Sequence, residues 1–318
     1  MWLRMYSDFE ASIKQINMVK EFYEKHPFPP NSIELNKPKD FKWYLSIEAV
    51  NNFFNRSCHV GSGRSHSLFI LDAGCGTGLS TNYLAHQNRD SQIHAIDISR
   101  SSLEIAQKRI VYSGADKKAN VTFENINFLD MENFNKFNFI NSIGVIQHLK
   151  NPLEGFLKIN FLLADNGIAH IYLYAKRGRE NLNRIKQIFR LMELDSNIES
   201  INICRDFLDS LPINNPIQIE YEDRWKEFCK SDINFADLFL HPYQNEFTIT
   251  SIFSLIKQSG LEFLGFRNTD FWNLGRILDK DFLAIAKKLS TIDQYRLIEL
   301  LDPSISSFEF FLTKKHQN

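Results

Sequence analysis

Apolar residues between positions 68 and 174 follow two alternating spacings along the chain. Short apolar runs, typical of buried strands, occur at 68–71, 93–97, 121–123, 137–142 and 168–174. Stretches with apolar residues three and four positions apart, typical of helices, occur at 79–87, 99–113 and 152–163. Strands that alternate with helices in this way predict an α/β fold, in which a doubly wound and mostly parallel sheet is covered by helices.

The region before the first strand is predicted to be helical. Residues 12–25 carry apolar positions at helical spacing and end at His26-Pro27-Phe28-Pro29-Pro30, which predicts a helix followed by a rigid extended segment. A second helix is predicted at 40–54, and the Gly- and Ser-rich sequence at 61–65 is typical of a linker. We therefore expect an N-terminal helical cap at 1–65.

The pattern changes again after Tyr174. Residues 176–210 and 219–229 are polar and amphipathic, which favours a helical insertion, or lid, over further strands. The remaining predicted elements are a helix at 248–259, a strand at 261–266, two helices within 277–301 and a strand at 308–312. The chain thus divides into the cap, a core at 66–175, a lid at 176–247 and a C-terminal part of the core sheet at 248–318.

The first predicted strand ends in Asp72-Ala73-Gly74-Cys75-Gly76-Thr77-Gly78, with a glycine at every second position. Glycine permits positive φ, and it lets the backbone approach a ligand at the N-terminus of the following helix. A dinucleotide fingerprint is disfavoured because its third glycine would fall on Leu79 or Thr81, and no Gly-Lys-Ser/Thr follows to make a P-loop. A tight strand-to-helix turn without a ligand is the alternative.

Composition and charge limit the class of protein. The chain has 318 residues, 43% of them hydrophobic, and a net charge of −1, so it can form a large core and carries no overall basic or acidic bias. Its cysteines are widely separated and typical of free thiols: Cys58, Cys75, Cys204 and Cys229. Without a leader-like N-terminus or an 18-residue apolar span, we expect a cytoplasmic protein with no metal, nucleic-acid or membrane partner.

Asp97 ends the second predicted strand, and together with Asp72-x-Gly74-x-Gly76-x-Gly78 it makes the chain resemble the class I S-adenosylmethionine-dependent methyltransferases. The resemblance implies a Rossmann-like sheet with its last strand antiparallel, at or near the sheet edge. It also implies S-adenosylmethionine as cofactor and S-adenosylhomocysteine as product. The implied cofactor-binding residues are Asp72, Gly74, Cys75, Gly76, Gly78, Asp97, Ile98, Asn127, Phe128 and Gly144.

The resemblance assigns roles within this set. Asp72 would reach the ammonium group of the cofactor directly or through water, and Asp97 would accept both ribose hydroxyls. Ile98 would stack on the adenine, and Asn127 would accept from its amino group. Asp130, three residues later, is predicted to be a helix cap instead.

His148 lies in the segment 142–149, directly after the fourth predicted strand. The segment resembles the Gly-Val-Leu-His-His-Leu loop of this superfamily, with Gln147 in place of the first histidine. His148 is therefore a candidate general base near the reaction centre, with a packed structural histidine as the equal alternative.

Residues 23–30 and 237–243 resemble a narrower group of uncharacterised bacterial, often cyanobacterial, methyltransferases. That group usually has Tyr-Pro-Tyr-Pro at the first site, where this chain has His26 and Phe28. Its N-terminal segment folds over the cofactor, which implies that Tyr23 and His26 line the substrate pocket. A place for Tyr23 on the apolar face of its helix is the alternative.

The second of these segments is predicted to be a strand-like run at 235–240 that leads into a loop. We expect Asp237, His241 and Tyr243 to bind the acceptor, with His241 as a second candidate base. A simple turn at His241-Pro242 is the alternative.

These patterns together predict a methyltransferase that acts on a small molecule or a protein side chain by in-line displacement. A protein of the same fold that binds S-adenosylmethionine without turnover is the alternative. A nicotinamide-dependent oxidoreductase conflicts with the glycine spacing.

Overall fold

A computed structural model describes residues 2–33, 38, 40–56, 67–132 and 136–315. The predicted linker at 61–65 and Cys58 lie outside these residues. The three other cysteines are buried free thiols. Among the described residues, no helix is long and apolar enough to cross a membrane.

The centre of the fold is a seven-stranded sheet in the order β3-β2-β1-β4-β5-β7-β6. Its strands are β1 (Phe69–Ala73), β2 (Gln92–Asp97), β3 (Asn120–Asn125), β4 (Phe137–Ile143), β5 (Leu163–Tyr174), β6 (Leu261–Phe266) and β7 (Ser307–Lys314). Strands β1 to β5 pair in parallel, and β7 runs antiparallel to both β5 and β6. The predicted doubly wound, mostly parallel sheet with an antiparallel last strand is confirmed.

Strand β7 lies one position in from the sheet edge. Phe310, Phe311 and Leu312 are consecutive and fully buried, so both faces of this strand are covered. A run without polar alternation is typical of an interior strand packed between two layers of helices. Strand β6, with partly exposed residues, forms the edge.

Twelve α-helices surround the sheet within the described part of the chain. They are α1 (Trp2–Lys25), α2 (Ile47–Phe53), α3 (Leu79–Gln87), α4 (Arg100–Ser113), α5 (Pro152–Leu162), α6 (Glu180–Leu191), α7 (Ile198–Ser210), α8 (Pro216–Glu220), α9 (Asp232–Phe235), α10 (Ile249–Ser259), α11 (Lys280–Ala286) and α12 (Thr291–Leu301). Helix α1 begins ten residues before the predicted start at residue 12, and the helix predicted at 40–54 is reduced to a short turn and α2.

The strand-like prediction at 235–240 was wrong. The segment continues from α9 into a wide helical turn at Ala236–Leu240. Phe235 and Phe239, four positions apart, are buried on one face against Phe189 of α6. A short apolar run does not distinguish a strand from a buried helix, and here the packing of the lid selects the helix.

The lid between β5 and β6 is helical, as predicted. Helices α6 to α9 pack around an apolar cluster of their own, which also contains Phe22 of α1. The lid therefore contacts the cap directly. The division of the chain at residues 65, 175 and 247 stays a prediction.

Candidate cofactor and acceptor site

A cavity of about 790 Å³ opens at the carboxyl ends of β1, β2, β4 and β5. It is lined by α1, the segment that follows α1, the glycine loop, the loop after β4 and the start of the lid. Open α/β sheets bind ligands at this edge, where strand order reverses beside β1. The volume is typical of a pocket for a drug-sized ligand.

The three glycines of the loop after β1 all have positive φ, between 53° and 80°. A Cβ on Gly74 would lie 2.2 Å from the Val145 side chain, one on Gly76 2.3 Å from the Phe28 carbonyl oxygen, and one on Gly78 2.7 Å from Ala106. Gly74 and Gly76 line the cavity, whereas Gly78 packs against α4. The glycines are therefore required by the convergence of protein segments on this loop.

The segment after α1 is fixed over the glycine loop. Thr77 donates through its backbone N–H to the Phe28 carbonyl (3.0 Å) and through its hydroxyl to the Pro29 carbonyl (2.8 Å). Arg109, fully buried, donates to the carbonyls of Thr77 (2.7 Å) and Asn31 (2.9 Å). Sequence reasoning missed Arg109, because its helical spacing in α4 does not reveal that it faces the cap.

Asp97 lies in the cavity wall at the end of β2. Its Oδ2 accepts from the Gly76 N–H and its Oδ1 from the Ser99 N–H, both at 2.8 Å. Burial raises the pKa of this carboxyl to about 6, although the two N–H groups favour its charged form. Each oxygen retains a lone pair for a further donor, so the carboxylate can accept two hydroxyl groups.

The structure places Asp72 behind the cavity wall. Its carboxylate is fully buried and accepts from Ser80 Oγ (2.8 Å), Thr81 Oγ1 (2.6 Å) and Asn141 Nδ2 (2.8 Å). Ser80 lines the cavity, so a contact between Asp72 and an ammonium group fits an indirect route through the Ser80 hydroxyl. A direct contact does not fit a carboxylate with no exposed surface.

A chain of buried polar side chains continues from Asp72 across the sheet. Asn141 Oδ1 of β4 accepts from His170 Nδ1 of β5 (2.9 Å), and the second ring nitrogen of His170 is 2.9 Å from Glu309 of β7. Arg267 then pairs with Glu309 at 3.0 Å. This support for Asp72 was not predicted, because polar residues on separate strands are aligned only by the register of the sheet.

Ile98, Asn127, Phe128, Gly144 and Cys75 also line the cavity, as predicted for the cofactor site. The Asn127 side chain caps the short turn Phe128–Asp130 by accepting from the Leu129 N–H at 3.2 Å. The expectation that Asp130 caps a helix was wrong, because it ends this turn and Asn127 begins it.

Three predicted acceptor-side residues meet at the other end of the cavity. Tyr23 Oη lies 3.2 Å from His148 Nε2 and 3.2 Å from Asp237 Oδ1. His148 Nδ1 lies 3.0 Å from the carbonyl oxygen of Tyr243, which contributes backbone to the cluster. Burial lowers the pKa of His148 to about 4 and raises that of Asp237 to about 6.

The other predicted acceptor-side groups lie outside the cavity wall, with His26 and His241 buried and Tyr243 half-buried. The His241 ring packs behind His148, with ring centroids 4.2 Å apart, and burial holds its pKa well below the usual value. His26 packs against Phe22 at 5.1 Å between ring centroids. Neither histidine, nor the Tyr243 side chain, lies among the residues that line the cavity.

Arg179 and Tyr174 line the acceptor end. Arg179 was not singled out from the sequence, and Tyr174 was placed at the end of the fifth predicted strand without an assigned role in the site. The Arg179 guanidinium lies 3.9 Å from the Tyr174 ring centroid and donates from Nε to Glu246 at 3.3 Å. Lys186 of α6 is buried nearby, and burial holds its pKa well below the usual value. The polar sequence around Arg179 and Lys186 gave no signal that these two side chains turn inward.

Comparisons with known proteins agree with this fold. A family model described as a methyltransferase domain matches residues 71–169, which run from β1 into β5. An uncharacterized protein of Synechococcus sp. is 36% identical over 301 residues, covering 92% of this chain and 70% of the relative. The chain belongs to the class I S-adenosylmethionine-dependent methyltransferases. The malonyl-[acyl-carrier protein] O-methyltransferase of Bacillus cytotoxicus is 30% identical over 184 residues, covering 53% of this chain and 61% of that enzyme.

The fold of this chain is also that of a solved structure, PKMT2 from Rickettsia typhi in complex with AdoHcy. The TM-score is 0.71 at 18% identity, and the match covers 92% of this chain and 56% of the other. The chain therefore spans about half the length of that protein. The cofactor is S-adenosylmethionine.

The residues present fit S-adenosylmethionine. Gly74 and Gly76 form a cradle with no room for a Cβ, and Asp97 offers two oxygens with lone pairs for the ribose hydroxyls. Ile98 and Phe128 supply apolar surface in the same cavity for the adenine. The individual roles of these residues stay predictions.

Proposed function

We propose that this protein transfers the methyl group of S-adenosylmethionine to a nucleophilic atom of a small molecule or a protein side chain. One observation carries the proposal: a single cavity joins the glycine cradle and Asp97 to the cluster of Tyr23, His148 and Asp237. A cofactor held at one end and an acceptor held at the other would share one enclosed space.

The cofactor supplies a methyl group on a positively charged sulfur, and the protein's part is to align and enclose the reactants. The cradle and Asp97 would fix the position of the sulfur. Helix α1 covers part of the cavity with Gln15, Ile16 and Val19 and so limits the access of water. Proximity and orientation of this kind account for about 7–11 kcal/mol of a barrier in favourable cases.

Calorimetric titration with S-adenosylmethionine and S-adenosylhomocysteine tests the cofactor half of the proposal. Asp97→Ala should weaken binding about 10- to 150-fold, because a hydrogen bond to a charged group contributes about 1.5–3 kcal/mol. Asp130→Ala is a matched control, since Asp130 ends the adjacent turn and does not line the cavity. No binding by the wild type, or equal binding by Asp97→Ala, would contradict the proposal.

Release of S-adenosylhomocysteine in the presence of candidate acceptors tests the second half. Tight binding with no release for any acceptor would favour a cofactor-binding protein without turnover. The cytoplasmic location and the absence of metal and nucleic-acid partners stay predictions from composition.

A further inference from the structure

The Tyr23 hydroxyl stands between two groups that both accept hydrogen bonds. It lies 3.2 Å from His148 Nε2 and 3.2 Å from Asp237 Oδ1. The carbonyl oxygen of Tyr243, 3.0 Å from His148 Nδ1, can only accept, so Nδ1 must carry a hydrogen. In a neutral ring, Nε2 then has a lone pair directed outward and needs a donor.

When Asp237 is charged, one hydrogen is too few for the two contacts of the Tyr23 hydroxyl, because His148 Nε2 and Asp237 both need a donor. Burial keeps the pKa of His148 at about 4 and that of Tyr23 well above its usual value, so the ring is neutral and the phenol protonated at pH 7. The single phenol hydrogen can reach either Nε2 or the carboxylate. One further proton, placed on Asp237, completes the chain: Asp237 donates to Tyr23, and Tyr23 donates to His148.

The surroundings of Asp237 keep this carboxyl able to gain or lose a proton near neutral pH. Burial opposes its charge, while Lys186 of α6 and Arg179 before α6 favour it, and the balance sets its pKa at about 6. The titratable and charged groups that face it from neighbouring elements are Tyr23 of α1, Tyr174 of β5, Arg179, Lys186 and Cys229 of the lid, and His148 lies on the far side of Tyr23.

We propose that Asp237 takes the proton released by the acceptor and that Tyr23 links Asp237 to His148, so that the three residues act as one base. The inference rests on the proposed function. In the step, the bond between the acceptor atom and the methyl carbon forms, and the carbon–sulfur bond breaks with its electron pair remaining on sulfur. The proton of the acceptor atom passes to Asp237, whose new O–H donates to Tyr23 as the phenol hydrogen turns to His148 Nε2.

His241 does not fill this role. Its Nδ1 accepts from the Tyr243 N–H at 3.2 Å, so in the neutral ring Nε2 carries the hydrogen and has no lone pair to take a proton. Its place behind His148 makes it a packing partner of the cluster. His148 itself is held in one tautomer by the Tyr243 carbonyl and presents Nε2 to Tyr23.

Nitrogen NMR of protein labelled in histidine tests the proposal without knowledge of the acceptor. In the wild type, the His148 Nε2 shift should change with a midpoint near pH 6, while the ring stays neutral, because protonation of Asp237 turns the Tyr23 hydrogen toward Nε2. Asp237→Asn and Tyr23→Phe should each abolish this step. Tyr172→Phe is a matched control that should keep it, since Tyr172 lines the same cavity outside the chain of hydrogen bonds.

Calorimetry with S-adenosylhomocysteine on all four proteins separates the two proposals. Binding should be unchanged in the three variants, because none of the removed groups belongs to the cradle or to Asp97. The proposal of a three-residue base would be overturned if the shift change near pH 6 persists in Asp237→Asn or Tyr23→Phe, or if His148 is an imidazolium near neutral pH. Either result would leave the proposed function standing. Failure of the wild type to bind would overturn both. If Asp237→Asn does not fold, Tyr23→Phe, which removes only one hydroxyl group, tests the proposal by itself.

Discussion

Substitution of Gly76 by alanine should open the contact between the cap and the glycine loop. Gly76 has a φ of 53°, and a Cβ there would lie 2.3 Å from the Phe28 carbonyl oxygen. The same oxygen accepts from the Thr77 N–H at 3.0 Å, and the Thr77 hydroxyl donates to the Pro29 carbonyl at 2.8 Å. Because a methyl group and a backbone oxygen cannot share this space, the segment after α1 must move and both hydrogen bonds are lost.

The expected cost follows from these contacts. A non-glycine residue in the left-handed region costs about 1–2 kcal/mol, and each lost hydrogen bond costs about 0.5–1.5 kcal/mol. Gly76→Ala should therefore cost about 2–5 kcal/mol by these two contributions. Gly114→Ala is the matched control, since Gly114 has a φ of 74° with nothing within 4 Å of its Cβ position, so only the backbone strain remains.

Hydrogen exchange of the Thr77 amide measures the difference in local stability between Gly76→Ala and Gly114→Ala. Relative to Gly114→Ala, the extra cost of about 1–3 kcal/mol should speed exchange of the Thr77 amide about 5- to 150-fold through local opening. Equal exchange of this amide in the two variants would refute the reasoning. It would mean that the Phe28 carbonyl moves away from the new methyl group and still keeps its hydrogen bond to the Thr77 N–H.

Three further predictions use the same structure. Gly144→Ala should share the backbone strain of Gly114→Ala. It should also weaken S-adenosylhomocysteine binding in calorimetry, because Gly144 is one of the predicted cofactor-binding residues that line the cavity; equal affinity in the two variants would contradict this. Arg109→Lys should lower the free energy of unfolding, measured by urea denaturation, by about 1–3 kcal/mol, because lysine lacks the planar guanidinium that donates to two carbonyls and its amine is buried. An unchanged free energy would mean that Arg109 does not hold the cap in place. The raised pKa of Asp237 means that the folded state holds this proton more tightly than the unfolded state. Its contribution to stability is therefore full below pH 4 and is lost as pH rises through 6, so the wild type should lose more stability between pH 5 and 7 than Asp237→Asn. Parallel curves would contradict this.

The sequence predicted most of the sheet because each strand is marked by its own local pattern. The strand at Leu261–Phe266 and the helix at Leu79–Gln87 have the predicted bounds. The glycine loop and Asp97 were also found from local patterns, since the glycines directly follow β1 and Asp97 ends the next strand, 21 positions after Gly76. Such features need no knowledge of the rest of the chain.

The rest of the site depends on contacts that are distant in sequence. Asp237 was predicted to bind the acceptor, yet its link to His148 through Tyr23 joins residues 125 and 214 positions apart. Arg109 sits on a helix whose spacing reveals a buried face without revealing what that face meets. The run at 235–240 has too few residues to show a period, and only the packing of the lid made it helical.

The reason for the glycines shows how the two halves of the site depend on one another. The sequence interpretation required glycine for the approach of a ligand, whereas the structure requires it first for the approach of Val145, Phe28 and Ala106. The loop that forms the cofactor cradle is thus also the surface on which the segment after Tyr23 is fixed. At the same edge, the Tyr23 carbonyl accepts from Ser99 Oγ at 3.1 Å, two residues beyond Asp97. A change in the loop should therefore reach the acceptor cluster through the backbone of the cap, even where it touches no residue of that cluster.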